Sequence, residues 1–345
     1  MKLSLICFTK AGAGLCVHLM EELAKEGDQC QGFGPSEDRL FRVSSSLKEW
    51  TRQQFEQKDG IIFIGAAGIA VRAIAPFLQG KDKDPAVVVL DDMGHFSISL
   101  LSGHLGGANE LTKRAAKITG AQAVITTATD IHDKFAVDLF AQEQGLYITR
   151  LPMIKEISSA LLNEEKVGFF SDFPVEGNLP QGLSFCQSGK TDLYITIKDQ
   201  VEENLKHALK LVPRVVVLGI GCRKGIPVEG IVSAVDQVLK AWNISKESLR
   251  ACASIDLKKE EEGICRFANI NGIPFVTYPA KVLLEAEGTF TPSPFVKQVT
   301  GVDNVCERAA ITFMGELGGG SLFIKKQPVH GVTVAAAVLD WKVRI

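Results

Sequence analysis

Short, unbroken apolar runs do most to limit what this chain can fold into. GIIFIG (60–65), PAVVVLD (85–91) and RVVVLGIG (214–221) are too short for helices, and too uniformly apolar for strands with one wet face. Runs of this kind are strands covered on both sides, as in a parallel sheet with helices on its two faces. The segments between them agree. KLSLICF (2–8) reads as a first strand, while GAGLCVHLMEELAKEG (12–27), SLKEWTRQQFEQ (46–57) and AGIAVRAIAPFLQ (67–79) carry helical periodicity. GGANELTKRAAKITG (106–120) is a further helix and AQAVITT (121–127) a further strand. Strand–helix alternation predicts an α/β fold with an N-terminal parallel-sheet domain over residues 1–130.

The texture then changes. Residues 131–211 contain two helical patterns, KFAVDLFAQEQG and MIKEISSALLNEE, and two strands, KVGFFSD and DLYITIK. A Gly/Pro-rich stretch from Pro174 to Gly189 separates the strands, so this part reads as a small α/β middle region acting as a spacer or lid. At Pro213 the pattern restarts. RVVVLGIGCRKG runs into a glycine turn, followed by a helix opening at Pro227, then further helices and strands and two closing strands, SLFIKK and VTVAAAVLD. Residues 212–345 therefore read as a C-terminal α/β domain.

Composition excludes several classes of function. A formal charge of −2 lacks the basic excess of a nucleic-acid or membrane-surface binder, and no apolar stretch reaches the length of a membrane span. The eight cysteines include no C-x-x-C pair, which argues against a zinc knuckle or a thioredoxin-type site. Isolated thiols in a chain without a signal-peptide pattern point to a reduced, cytoplasmic setting.

Glycine turns after predicted strands are the places for chemistry. Gly65 and Gly68 precede a helix that carries Arg72, an arrangement that suits an anion and equally suits a plain tight turn. Gly219, Gly221, Cys222 and Arg223 repeat it in the C-terminal domain. Neither GAGLCV nor GIGCRK completes a dinucleotide fingerprint, and no P-loop is present, so NAD and ATP are disfavoured. Asp91 and Asp92 end a buried strand, where open α/β sheets place their sites. Beyond them, LLSGHLGGAN (100–109) sets His104 among Ser102, Gly103, Gly106, Gly107 and Asn109. His95 and His104 with the two aspartates match no standard metal-ligand spacing; acid–base work by His104 is the better reading, with helix capping as its plain alternative. ITTATD offers Thr126, Thr127, Thr129 and Asp130 as a hydroxyl-lined rim or a helix cap. In the C-terminal domain Ser254, Asp256, Lys258 and Lys259 follow a strand, and read by themselves as a capped helix start with solvated charges.

Taken in order, GAAGIAVRAIAPFLQGKDKDPAVVVLDDMGHFSISLLSGHLGGANELT, VITTATD, LGIGCRKG, SIDLKKEEEG, TPSPFVKQVTGVDNVCERAA and GVTVAAAV resemble the CbiG proteins of anaerobic cobalamin biosynthesis, across nearly the whole chain. That resemblance implies cobalt-precorrin-5A hydrolase activity: lactone opening by water, then release of acetaldehyde to give cobalt-precorrin-5B. Cobalt would arrive with the substrate, so no cofactor and no protein-held metal are implied. The implied partner is cobalt-precorrin-5A, and a homodimer is compatible with it. A non-catalytic tetrapyrrole-binding or transfer protein of the same pathway is the alternative, and a metal-dependent hydrolase using His95 and His104 a third.

Precorrins carry many carboxylates, so anion-binding turns are expected to matter. Gly65, Gly68, Arg72, Ser102, Gly103, Gly106, Gly107, Asn109, Thr126, Thr127, Gly221, Arg223, Ser254 and Lys258 are the candidates. His104 is the expected base or acid, with Asp91 or Asp92 as its orienting partner and glycine-turn amides as oxyanion donors.

Overall fold

The computed structural model describes residues 1–35, 39–80, 83–104, 106–127 and 134–345. Three main sheets are formed, and the chain divides into two compact units, residues 1–139 and 140–345.

The first unit holds a six-stranded sheet in the order β2-β1-β3-β4-β5-β6. Its strands are β1 (Lys2–Cys7), β2 (Gln29–Phe33), β3 (Gly60–Ile64), β4 (Ala86–Leu90), β5 (Phe96–Leu101) and β6 (Gln122–Val124). As the apolar runs require, β3 and β4 are buried at every residue. Leu3, Leu5, Ile62, Ile64, Val88 and Leu90 pack on one face against α1 (Lys10–Lys25) and α4 (Ala108–Thr119). Ile6, Ile61, Phe63, Val87 and Val89 face the other way, onto α2 (Leu47–Gln57) and α3 (Ala67–Ile74). Side chains that alternate between two covered faces account for the absence of a polar period.

One strand departs from the sequence reading. HFSISLL is absent from the predicted elements, yet Phe96–Leu101 forms β5, and it runs antiparallel to β4, with Leu90 opposite Ser97 and Val87 opposite Leu101. β6 is parallel to β5. The sheet is therefore mixed, and the chain direction reverses at Asp91–His95.

In the second unit β7 (Leu146–Ile148), β8 (Val167–Ser171), β9 (Val175–Glu176), β10 (Leu183–Phe185), β11 (Asp192–Ile195) and β12 (Leu209–Pro213) come first. Five of them form a sheet, β10-β8-β11-β12-β7, in which only β7 is antiparallel to its neighbour. α5 (Val137–Glu143) begins in the first unit, which includes Asp138, and runs into the second, where α6 (Pro152–Leu162) follows.

Next come β13 (Val216–Cys222), α7 (Val228–Ala241), β14 (Leu249–Ile255), α8 (Glu262–Ile270) and β15 (Phe275–Tyr278). After α9 (Ala280–Glu285), α10 (Pro294–Thr300) and α11 (Cys306–Glu316), the chain closes with β16 (Gly320–Val329), β17 (Val332–Leu339) and β18 (Val343–Arg344). Their sheet is β15-β14-β13-β17-β16, with the last two strands antiparallel. α7 and α8 cover one face through Ile231, Val235, Val238, Ile264 and Phe267, while α11 covers the other through Ala309, Ala310 and Met314.

Gly219 marks the closest approach. A Cβ there would run into the Cys306 carbonyl oxygen at the start of α11. Gly219→Ala is expected to force helix and strand apart and to lower stability by about 1–3 kcal/mol, the ordinary cost of overpacking. Thermal or urea unfolding of the whole chain measures this, and an unchanged midpoint would show that the helix moves freely.

Candidate functional site

The antiparallel strand β5 divides the expected N-terminal site residues between two ends of one sheet. The turns after β1, β3 and β4 lie at one edge, and the turn after β5 lies at the other. β4 has five residues, and at about 3.3 Å per residue the two ends are roughly 16 Å apart.

At the first edge Gly65 holds φ +150° and donates its amide to the Leu90 carbonyl at 2.7 Å. Gly68 lies in the first turn of α3, and the exposed Arg72 folds back to donate to its carbonyl at 3.3 Å. The Asp91 carboxylate accepts from the amides of Met93 at 3.0 Å and Phe96 at 2.6 Å, with His95 Nδ1 at 3.7 Å. Burial pushes the Asp91 carboxyl up, but those amides and His95 outweigh it and hold it below the usual range. Asp92 accepts from Thr9 Oγ1 at 2.6 Å, and Thr9 in turn caps α1. Both aspartates thus fasten turns at this edge.

The second edge gathers the histidine. Ser102 leaves β5 with φ +57°, uncommon for a residue with a side chain, and its buried hydroxyl has no hydrogen-bond partner among the described residues. Its carbonyl accepts the Ala108 amide at 3.0 Å, and the Gly103 carbonyl accepts the Asn109 amide at 2.9 Å, which folds the turn tightly onto the start of α4. The glycines are required for different reasons. A Cβ on Gly103 would stand 2.7 Å from Asn109 Oδ1, and one on Gly106 would collide with Ser102, whereas Gly107 takes φ +84° as the cap of α4. Asn109 is buried; it accepts from Ser99 Oγ at 2.7 Å and donates to Thr127 Oγ1 at 3.2 Å. Thr127 thereby joins the turn, because β6 runs parallel to β5 and delivers its end to the same edge. Thr126 beside it is exposed, and Thr129 and Asp130 lie outside the described residues.

His104 meets neither Asp91 nor Asp92. Its Nδ1 lies 3.1 Å from Oδ2 of Asp138, and the two side chains are only 13 % and 11 % exposed. This corrects the expected pairing, and the reason is the reversal at β5. Asp138 stands in the first turn of α5, where its Oδ1 also accepts the Leu139 amide at 3.1 Å. Burial pushes its carboxyl up, but the His104 hydrogen bond and charge, with the amides of Asp138 and Leu139, prevail and hold it below the usual carboxylate range. The sequence signal for Asp138 was an aspartate inside the apolar string AVDLF (136–140), whose burial requires a partner. The same geometry removes the idea of one metal ion shared by His95 and His104. They flank the six residues of β5, a span of about 20 Å.

In the C-terminal sheet, Gly221 and Ser254 stand near the ends of the parallel neighbours β13 and β14. Ser254 is fully buried and donates to the Ile220 carbonyl at 2.6 Å, so its hydroxyl stitches the two strands together. Lys258 is paired with Glu261 at 2.7 Å, with side chains 15 % and 8 % exposed, so its charge is already neutralised. Glu261 also accepts the Gly225 amide at 2.6 Å, bracing the turn that begins at Arg223. Arg223 itself is exposed. Burial pushes the Cys222 thiol up in spite of Lys258 nearby, which leaves it protonated near neutral pH. Ser254 and Lys258 are therefore engaged by partners within the fold, whereas Arg223 is exposed beside Gly221. No described group of His, Cys, Asp and Glu is arranged to hold a metal ion, and no described helix is long and apolar enough to cross a membrane.

Comparison with known proteins follows this outline. Residues 49–130 match the model of the cobalamin synthesis G N-terminal family, residues 135–213 the cobalamin biosynthesis central region, and residues 216–337 the cobalamin synthesis G C-terminus. A cobalt-precorrin-5A hydrolase from Salmonella typhimurium is 34 % identical, over 97 % of each chain. One from Priestia megaterium is 31 % identical, over 94 % of this chain and 88 % of the relative. Among solved structures, a cobalamin biosynthesis protein G homologue from Sulfolobus solfataricus aligns over 98 % of this chain at 21 % identity and a TM-score of 0.43. With all three family segments matched in order and two relatives above 30 % identity along nearly its whole length, the chain belongs to the CbiG family.

Proposed function

We propose that this chain is a cobalt-precorrin-5A hydrolase, which opens the substrate lactone with water and releases acetaldehyde to give cobalt-precorrin-5B. The observation that carries this is similarity along nearly the whole chain to two proteins of that name, with the turn around His104 and Asp138 falling inside the matched family segments 49–130 and 135–213. Cobalt enters as part of the substrate in this reading, no resident cofactor is needed, and the enzyme works in the cytoplasm.

His104 is the proposed base. Asp138 holds the ring at Nδ1, and the imidazole takes a proton from water as the oxygen attacks the lactone carbonyl. Asp138 fixes the ring and stabilises the imidazolium that forms, as a buried carboxylate does for a catalytic histidine. The developing oxyanion needs donors that are not already in use. The Gly107 amide is bonded to the His104 carbonyl at 2.8 Å, so Gly103 and Gly106 are the proposed donors, helped by the positive end of α4. Collapse of the tetrahedral adduct breaks the acyl C–O bond, leaving a carboxylate on the macrocycle and a hydroxyl on the two-carbon arm. Loss of that hydroxyl proton then breaks the carbon–carbon bond in a retro-aldol sense. The electron pair passes to the macrocycle, and acetaldehyde departs.

A coupled acetaldehyde assay on cobalt-precorrin-5A tests the reaction. His104→Ala is expected to lower kcat at least 100-fold; a wild-type rate would remove His104 from the chemistry, and tight binding without acetaldehyde from the wild type would favour a carrier. Asp138→Asn is expected to lower kcat by 10- to 10⁴-fold, roughly, with KM little changed.

Stability gives an independent reading of the same pair. Asp138 has its carboxyl lowered by folding, so its contribution is present above the unfolded aspartate value and fades as pH falls through the folded one. Wild type should therefore exceed Asp138→Asn by about 1.5–3 kcal/mol at pH 7, the worth of a charged hydrogen bond. The gap should close as acid protonates Asp138, below the ordinary aspartate range. Urea unfolding at a series of pH values measures it, and a gap independent of pH would mean that the carboxylate charge plays no part.

A further inference from the structure

The middle sheet carries a concave surface lined by none of the residues placed in the reaction. Thr149 and Arg150 follow β7, while Ala208 and Lys210 lie at the start of the paired strand β12. With Asp199, Gln200, Val201 and Lys206 they line a cleft of about 500 Å³. Lys210 Nζ donates to the carbonyls of Lys198 at 2.9 Å and Asp199 at 2.7 Å. Arg150 Nη2 donates to the carbonyls of Lys206, at 3.2 Å, and Ala208. Carbonyls thus take two bonds from each cation, against three donors on an ammonium and five on a guanidinium. Lys206 is paired with Glu203, but among the described residues neither Arg150 nor Lys210 forms an ion pair with a carboxylate.

We propose that this cleft is an anion-binding site that takes a carboxylate-bearing ligand on Arg150 and Lys210. The Asp199 carboxylate at the cleft offsets the repulsion between the two cations without hydrogen-bonding to either among the described residues, and an entering carboxylate uses the donors that the carbonyls leave spare. The Arg150 fork supplies planar, two-point recognition and Lys210 a point charge. Burial holds the Lys210 ammonium below the usual lysine range, Asp199 opposes this and the Arg150 charge adds to it, which places the two cations in one field. Exposed Lys206 at the rim adds attraction at longer range. The carboxylate could belong to a side arm of a tetrapyrrole or to a free polyacid, and the recognising chemistry is the same.

Calorimetric titration of the full chain with tricarballylate, and separately with uroporphyrin, distinguishes these sources. Binding is read without turnover, so the result stands or falls apart from the hydrolase reading. Wild type is expected to bind at least one probe: uptake of tricarballylate identifies a free-polyacid site, and uptake of uroporphyrin alone a site for macrocycle arms. Lys210→Met and Arg150→Gln should each weaken that binding about tenfold, and Arg150→Lys less. If either substitution unfolds the chain, Lys206→Glu reverses a charge at an exposed position and should also weaken binding. No binding of either probe by wild type, or unchanged binding in the correctly folded variants, overturns the proposal.

Discussion

The arrangement of the N-terminal unit depends on one antiparallel strand pair, β4 with β5. Asp91 makes it, because its carboxylate holds the Met93 and Phe96 amides and forces the chain to double back within five residues. Were β5 replaced by a helical crossover to another parallel strand, the glycine turn would join Gly65 and Asp92 at the carboxyl edge of the sheet. Instead it emerges at the opposite edge, where the parallel-sheet rule places no site. β6 follows β5 in direction and brings Thr127 there too. The reversal thus gathers a second cluster of polar side chains at the opposite edge of a sheet that is otherwise parallel.

Sterics then fix what the reversal has delivered. Ser102 enters the left-handed region, Gly103 and Gly106 leave room for Asn109 and Ser102, and Gly107 turns the chain into α4. Asn109 bonds to β5, to the turn and to Thr127 at once, so the position of His104 is tied to three segments and not to a loop alone. Strain at Ser102, and a hydroxyl without a partner among the described residues, are costs that the surrounding bonds sustain.

How much of this was legible in the sequence follows from where each signal resides. GIIFIG, PAVVVLD and RVVVLGIG announce covered strands because burial on two faces leaves no polar period, and those strands form as read. FSISLL hides its role: it is short, half-buried and follows the turn-rich DDMGH, so it can pass for part of a long loop. With that strand unseen, Asp91 and Asp92 seem near His104 in sequence while lying about five residues' length away across the sheet. Asp138 is 34 positions further along, and its pairing is purely tertiary. The partners of Ser254 and Lys258 are hidden for a related reason, since a hydroxyl or an ammonium shows in sequence but the carbonyl or carboxylate that satisfies it does not.

Satisfaction of this kind also decides which groups can meet a polyanionic ligand. With a net charge of −2 the chain offers no general attraction, so recognition must come from individual cations not already engaged. Lys258 is spent on Glu261, and moving it would strand a nearly buried carboxylate. Arg72 and Arg223 are exposed, and among the described residues Arg72 is held only by a carbonyl of its own helix. Reorienting such a side chain costs a weak hydrogen bond and some rotamer freedom, a small part of what a two-point carboxylate contact returns. Exposed arginines beside glycine turns therefore suit a substrate with several flexible acid arms, whereas the buried pairs keep the turns themselves in shape.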